Sequence, residues 1–379
     1  MLTGNKGEWS ELYALIKLMT DGKLFQSDID LNVDPENVYD VIAAYKKDVS
    51  YDLTFERNDS VKVFKIQDDV KTLIVEKSFA DFEEISHLLL NGIRAGSGKT
   101  FKLPLLDQYF DQLKIAKVQA GANSKADLRL RIYDHRLAKE ADLGFSIKSL
   151  LGKQSTLFNP DVEGNFIFEI EDFDISSISA FNRETYNKPK ITNRIRRIEE
   201  EGYITKFASI QSKQLRLNLK MIDGDMPDLI AWALYFRYRD KKSSLVDIAQ
   251  ILEKEDPLNL YRGESSGQKM YEYKLKKFLM DSAMGMTTKT PWLGEYDSFG
   301  GVIIVKKDGD LVCFHVYDIN LFRNYLLNNT FLEQAGTGED ENNPGNADPE
   351  SGKKYYYGWL YEEDGKCYFK INLQVRFIK

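Results

Sequence analysis

Apolar residues recur at helical spacing near the start of the chain. Trp9, Leu12, Tyr13, Leu15 and Ile16 share one stripe, which predicts a helix over 7–19. A second helix is expected over 36–46. Alternating patterns at 51–57, 61–66 and 72–77 predict strands. A helix follows at 79–93, ending near Gly92, and another at 103–118. Then "KADLRLRI" (125–132) alternates cleanly. Leu128, Leu130 and Ile132 fall on one face, Asp127, Arg129 and Arg131 on the other. "LGFSIKSLL" (143–151) and "NFIFEIE" (165–171) are the next strands. Residues 176–201 read as helical with a break at Pro189. Helices are expected at 226–239, 244–253 and 268–284. The remainder turns β-rich, in "GGVIIVKK", "DLVCFHVY", "KKYYYGWLYEE" and "KCYFKINLQVRF". Residues 335–352 hold Gly, Pro, Asn and acids without a period, the pattern of a mobile loop.

This order predicts an α/β fold: a central mixed sheet flanked by helices, with a β-rich C-terminal region. The 379 residues are enough for two domains. The boundary is expected near 200–225. It separates a core over 1–215, carrying an inserted α/β segment around 35–118, from a helical then β-rich region over 216–379. No run approaches the length of apolar residues that a membrane span needs, and the N-terminus lacks the pattern of a secretory leader. Cys313 and Cys367 lie in expected strands. Two such cysteines argue against a disulfide framework and for a reducing cytoplasm. Three scattered histidines argue against a zinc centre or a histidine-based triad.

The formal net charge is −7, which taken alone argues against a nucleic-acid partner. Net charge averages over the surface, however, and a groove needs only local positive potential. The window 183–197, "RETYNKPKITNRIRR", holds six Lys/Arg against one Glu, whereas "GEDENNPGNADPE" (338–350) concentrates acid. "GIRAGSGKT" (92–100) is superficially a phosphate-binding loop. That motif needs a glycine where Ile93 stands, and it must follow a strand, not a helix.

Lysines are rarely buried without a partner, so Lys148 within "GFSIKS" needs an explanation. Ser146 and Lys148 project from one strand face about 6–7 Å apart, while Phe145 and Ile147 face the core. If 126–133 and 142–150 form an antiparallel hairpin, Asp127 lies beside residues 148–150. Asp142 is six residues before Lys148, about 20 Å away along a strand. Geometry therefore selects Asp127. An acid and a lysine so placed suit a metal-dependent phosphodiesterase: the acid binds Mg²⁺, and the lysine answers charge developing on the phosphate. One carboxylate is thin for Mg²⁺. Glu8 and Glu11 of the first helix, three apart on one face, are the candidates for a second acid, Glu8 ranked first because Gly7 permits close approach.

The blocks "GNKGEWSELYALIKL", "KADLRLRIYDHRLAKEADLGFSIKSLLGKQSTLFN" and "FKINLQVRF" resemble the HpaII family of type II restriction endonucleases. They cover roughly a sixth of the chain, in order and spread over its length. The resemblance implies a PD-(D/E)XK nuclease fold, Mg²⁺ as cofactor and hydrolysis of double-stranded DNA at CCGG. It implies 5′-phosphate ends and a cognate DNA methyltransferase as functional partner. Asp127 corresponds to the first acid and Lys148 to the lysine. Ala126 replaces the family fold's proline and Ser146 its second acid, so a helix carboxylate, Glu8 or Glu11, becomes necessary. Asp127 and Glu8 are the expected metal ligands. Lys153, Gln154, Ser155 and Asn159, which follow the catalytic strand, are candidates for DNA contact, and Arg194, Arg196 and Arg197 for a phosphate clamp. The 216–379 region is expected to contribute to DNA binding. A palindromic target is compatible with a homodimer. The alternatives are a repair or structure-specific nuclease of the same fold, and a non-catalytic DNA-binding module.

Overall fold

A computed structural model of the chain describes residues 1–118, 126–152, 155–264, 267–295, 300–352 and 355–378. The fold is mixed α/β and β-rich. No described helix is long and apolar enough to cross a membrane. The chain divides into two compact units, Met1–Ser155 with Tyr296–Tyr325, and Thr156–Glu295 with Leu326–Lys379. This differs from a single break near 200–225. The chain leaves the first unit at Ser155 and returns to it later, because strands from the 301–315 stretch complete its sheet.

In the first unit, nine described strands form one sheet. They are β1 (Lys23–Ser27), β2 (Val33–Lys47), β3 (Asp52–Arg57), β4 (Val61–Gln67), β5 (Val70–Lys77), β6 (Leu128–Asp134), β7 (Lys139–Ser149), β8 (Gly301–Val305) and β9 (Leu311–His315). Their order is β1-β9-β8-β7-β6-β2-β3-β4-β5, with a further β1–β2 pairing. The β8–β7 and β9–β1 pairings are parallel and the others antiparallel, so the sheet is mixed. The segment expected as a helix over 36–46 is part of β2. A bulge between Val41 and Ala43 interrupts its alternation, and β2 is hydrogen-bonded to β1, β3 and β6. The helix expected over 103–118 shrinks to α3 (Asp107–Leu113).

Helix α1 (Lys6–Asp21) begins at Asn5 and ends at Gly22. Gly22 adopts φ 70°, and a Cβ there would strike the Arg57 guanidinium, so the stop needs glycine. The helix is buried on nearly every side, from Trp9 and Ser10 through Leu12–Ile16 to Leu18 and Met19. It packs with α2 (Phe79–Ala95) against Leu24, Val41, Leu53, Phe55, Leu128, Leu130, Ile132, Phe145 and Ile147 of the sheet. Burial of each such side chain contributes about 1.5–3 kcal/mol. Polar anchors fix the helix: Trp9 Nε1 donates to Phe101 O at 3.2 Å, and Tyr13 donates to Gly309 O at 2.6 Å. Ile93 is buried within α2, so the glycine-rich stretch after it follows a helix.

The second unit holds an antiparallel sheet of Thr205–Ile210, Asn165–Ile170, Lys366–Asn372 and Leu360–Glu363, in that order. A smaller sheet joins Thr156–Phe158, Val375–Phe377 and Thr330–Leu332. Helices include Lys190–Glu200, Lys213–Ile222, Met226–Arg239, Leu245–Glu255 and Met270–Ala283. The stretch expected as a loop over 335–352 is irregular but anchored. Glu339 is buried and accepts from Arg194 at 2.7 and 3.0 Å, from Lys190 at 2.6 Å and from the Gly345 amide at 2.9 Å. Burial pushes its carboxyl pKa upward, but the Arg194 and Lys190 hydrogen bonds outweigh this and hold it below the usual range. Breaking a buried ion pair by removing one partner leaves an uncompensated charge. Glu339→Ala should therefore cost about 3–5 kcal/mol, read as a clear fall in the thermal or urea midpoint. An unchanged midpoint would show that this pair does not anchor the loop.

Candidate active site

The β6–β7 hairpin pairs Leu128 with Phe145, Leu130 with Leu143 and Arg131 with Asp142. Asp127 therefore stands beside Ser146, short of the 148–150 neighbours expected from sequence. Its amide donates to Phe145 O at 3.0 Å, and its carboxylate accepts from the Ile147 amide at 2.7 Å. The two bonds grip the partner strand on either side of Ser146. Residues opposite one another in an antiparallel ladder share a face, and so do residues two apart. Ser146 and Lys148 thus share the face away from the α1–α2 core, while Phe145 and Ile147 point into that core; Asp127 sits one residue before the ladder, held against its end by those two bonds. Lys148 is half-buried and has no ion-pair partner among the described residues.

Asp142 is occupied. Arg131 reaches it through two bonds of 2.9 and 3.1 Å, and Tyr45 donates to it at 3.2 Å. The Arg131 hydrogen bonds hold the Asp142 carboxyl below its ordinary value. It is the partner of an arginine, at the other end of the hairpin from Lys148.

The two helix acids separate. Glu8 is the third residue of α1, and its carboxylate accepts from the Asn5 amide at 2.8 Å while Asn5 Oδ1 accepts from the Glu8 amide at 3.0 Å. This reciprocal cap satisfies two helix-end donors and gives Glu8 a structural duty. Glu11, one turn on, lines a cavity of about 170 Å³ together with Asp127. Leu12, Leu15, Leu53 and Leu128 form its apolar wall, and Tyr45, Lys46, Lys47 and Arg129 join the lining. Of the two helix acids, Glu11 lines the cavity with Asp127, as Asp52 also does.

Two carboxylates make a hard oxygen donor set. Mg²⁺ is commonly held by one or two carboxylates, with water and substrate phosphate completing the shell. Asp127 and Glu11 offer donors of that class on one cavity. Among the described residues no group of three or more His, Cys, Asp or Glu is placed to hold a metal.

Lys46 was not foreseen. It lies in β2, only 8% exposed, and its Nζ approaches Val118 O at 3.5 Å. Burial pushes its pKa down to about 8. Attraction to Asp48 and Glu11 opposes the shift, and Lys117 adds to it. The signal was present: in a strand, Lys46 shares the inward face of Ala44. Reading 36–46 as a helix hid it.

The remaining candidates disperse. Lys153 and Gln154 lie outside the described residues. Ser155 donates to Ser149 O at the end of β7. Asn159 is exposed, just past the Thr156–Phe158 strand. Arg194 is fully buried on Glu339 and also bonds Thr185, Gly358 and Asn182, so it cannot reach a phosphate. Arg196 is exposed and donates to Arg239 O at 3.1 Å. Arg197 pairs with Glu184 at 2.7 Å and Glu201 at 2.6 Å, exposed contacts that are individually weak. The three arginines therefore do not form one clamp.

Comparison with known proteins adds a separate line. The HpaII restriction endonuclease family model matches residues 5–377. The chain is similar to the type II restriction enzyme HpaII of Haemophilus parainfluenzae, 32% identical over 378 residues and spanning 99% of each chain. No solved structure matches.

Lys46 allows a test of the cavity. Its folded pKa of about 8 lies below the ordinary lysine value of 10.5, so between those values the unfolded chain binds more protons. Stability from this group accordingly rises with pH across that window, and the cost of burying the charge is fully present below it. Lys46→Met should raise the melting temperature at pH 7, with the gain shrinking as pH rises past about 8. A gain independent of pH would refute the buried-charge account.

Proposed function

The chain belongs to the HpaII restriction endonuclease family, and from that premise we propose that it is a type II enzyme that hydrolyses double-stranded DNA at a short specific site with Mg²⁺. The observation that supports this is Asp127, bound to the Ile147 amide between Ser146 and Lys148 on the partner strand, and lining a cavity with Glu11. The family target implied by the resemblance, CCGG, is the sequence to test first. In this reading the first unit is a PD-(D/E)XK-type core. Ala126-Asp127 stands for Pro-Asp, and Ser146-x-Lys148 stands for acid-x-Lys.

The roles follow from charge and position. Asp127 and Glu11 would hold Mg²⁺, which when bound supplies an activated water and charge against the phosphate oxygens. The Ile147 amide holds the Asp127 carboxylate in one orientation before substrate arrives. Lys148 offers an ammonium to the negative charge that grows on the phosphate in the transition state. Ser146 contributes only a neutral hydroxyl, so Glu11 carries the charge that the missing acid would have carried. Cleavage leaves a 5′-phosphate. The second unit contributes to DNA binding, with Asn159 and Arg196 as exposed candidates. The enzyme acts in the cytoplasm beside a cognate methyltransferase, and a palindromic site suits a homodimer. Ser146 also favours a second reading, a DNA-binding module that has lost its metal; calorimetric titration with Mg²⁺ separates the two. A structure-specific or repair nuclease would differ in its products.

Incubation of plasmid DNA with the protein and Mg²⁺, followed by sequencing of the ends, tests the function directly. Ends at one recurring sequence are expected, and scattered ends or intact DNA would overturn it. Lys148→Ala should slow cleavage by about 10²-fold or more while leaving binding nearly intact. Asp127→Asn should abolish cleavage and weaken Mg²⁺ binding.

The helix acids should divide. Glu11→Gln should demand more Mg²⁺ or lose activity. Glu8→Ala should cost about 1 kcal/mol of stability through the lost cap, with the metal dependence unchanged. If Glu11→Gln cuts with the wild-type Mg²⁺ dependence, α1 does not belong to the site.

A further inference from the structure

We infer that Arg129, seated against Tyr45 on the open face of the sheet, is a DNA-backbone contact that holds a phosphate of the strand being cut. The inference rests on the nuclease reading above and adds a binding residue to it. Arg129 follows Asp127 by two residues, near the start of β6. Both line the same cavity. A cation at that spacing from the candidate metal-binding acid is placed to meet the sugar-phosphate chain next to the bond under attack.

The surroundings leave this cation available. Asp142 is the acid that faces it, and Arg131 takes both oxygens of Asp142 at 2.9 and 3.1 Å. Arg129 stands at 3.8 Å from one of them, beyond hydrogen-bond range, with its side chain 63% exposed. Two guanidiniums thus face Asp142, and Arg131, which Glu140 also attracts, is the one that engages it. Tyr45 restrains both. Arg129 lies 5.5 Å and Arg131 6.0 Å from its ring centre, and the ring is tied to Asp142 at 3.2 Å. Tyr45 and Arg129 are direct cross-strand neighbours of β2 and β6. The guanidinium is therefore held over the sheet before any ligand arrives, which lowers the entropy cost of contact. A planar, permanently charged fork suits a phosphate oxygen pair.

A phosphate contact carries no sequence information and shows in the salt dependence of binding. Affinity for a CCGG duplex and for a scrambled duplex is measured across a salt series without divalent metal, for wild type, Arg129→Gln and Arg129→Lys. Arg129→Gln should weaken both duplexes by the same factor, about tenfold, and reduce the log–log salt slope by about 0.9. Arg129→Lys should keep most of the slope. Equal melting temperatures check that the exposed substitution leaves the fold intact. An unchanged affinity and slope would overturn the inference, and so would a loss confined to the CCGG duplex, which marks a base contact instead. Wild-type cleavage in Mg²⁺ is run alongside. If wild type does not cut, the nuclease reading fails whatever Arg129 does. If it cuts and Arg129→Gln binds like wild type, only the present inference fails.

Discussion

The hydrogen bond from the Ile147 amide to the Asp127 carboxylate joins the hairpin register to the proposed chemistry. In a two-faced sheet the register cannot slip by one residue without turning every side chain over. Here a slip of β6 would drive Leu128, Leu130 and Ile132 out of the core and break the bond that holds Asp127 to the Ile147 amide. Each of those apolar residues contributes about 1.5–3 kcal/mol by burial. The core therefore sets the position of the acid, and the Ile147 amide sets its orientation. Lys148 inherits its face from the same alternation, two residues beyond Ser146. Nothing in the site has to fold independently.

What could be read from sequence follows from how local the determining forces are. The α1 stripe and the alternation of β6 and β7 depend on neighbours within a few residues, and these elements lie where periodicity put them. The hairpin offset depends on turn geometry, which apolar pattern alone does not report. In "NVYDVIAAYKK" the helical reading came from apolar residues at mixed spacing. The bulge at Val41–Ala43 breaks the alternation that would have marked a strand, and the decisive forces are hydrogen bonds to β1, β3 and β6. Lys46 was lost with it. The parallel pairing of β8 with β7 joins residues about 155 positions apart, which no window of sequence can register, so the discontinuous first unit was invisible.

Arg194 teaches a different lesson. A cluster of basic residues suggests a surface because arginine is usually exposed. Yet Ile191, Arg194, Ile195 and Ile198 fall at positions of one helical stripe, the pattern of a buried face. Its partner, Glu339, sat in a segment read as a loop for want of periodicity. The pairing of a helix stripe with an acid in an irregular segment is a long-range event, and burial makes it strong. Charge density in sequence and charge available to a ligand are separate quantities.

The same distinction runs through α1. Glu8 and Glu11 are three residues apart on one face, and sequence cannot rank them by charge. The helix end can. The first turn of a helix has amide groups without partners, and Glu8 is close enough to reach back and answer one, which ties its carboxylate to Asn5. Glu11 is a full turn beyond the cap and lies between Trp9 and Leu12, in a helix buried on almost every side. A carboxylate there is costly unless compensated. The cavity supplies compensation in a buried cation, Lys46, whose attraction to Glu11 works against its own burial. A single capping contact thus ties one helix acid to the helix end, while the other, Glu11, lines the cavity with Asp127.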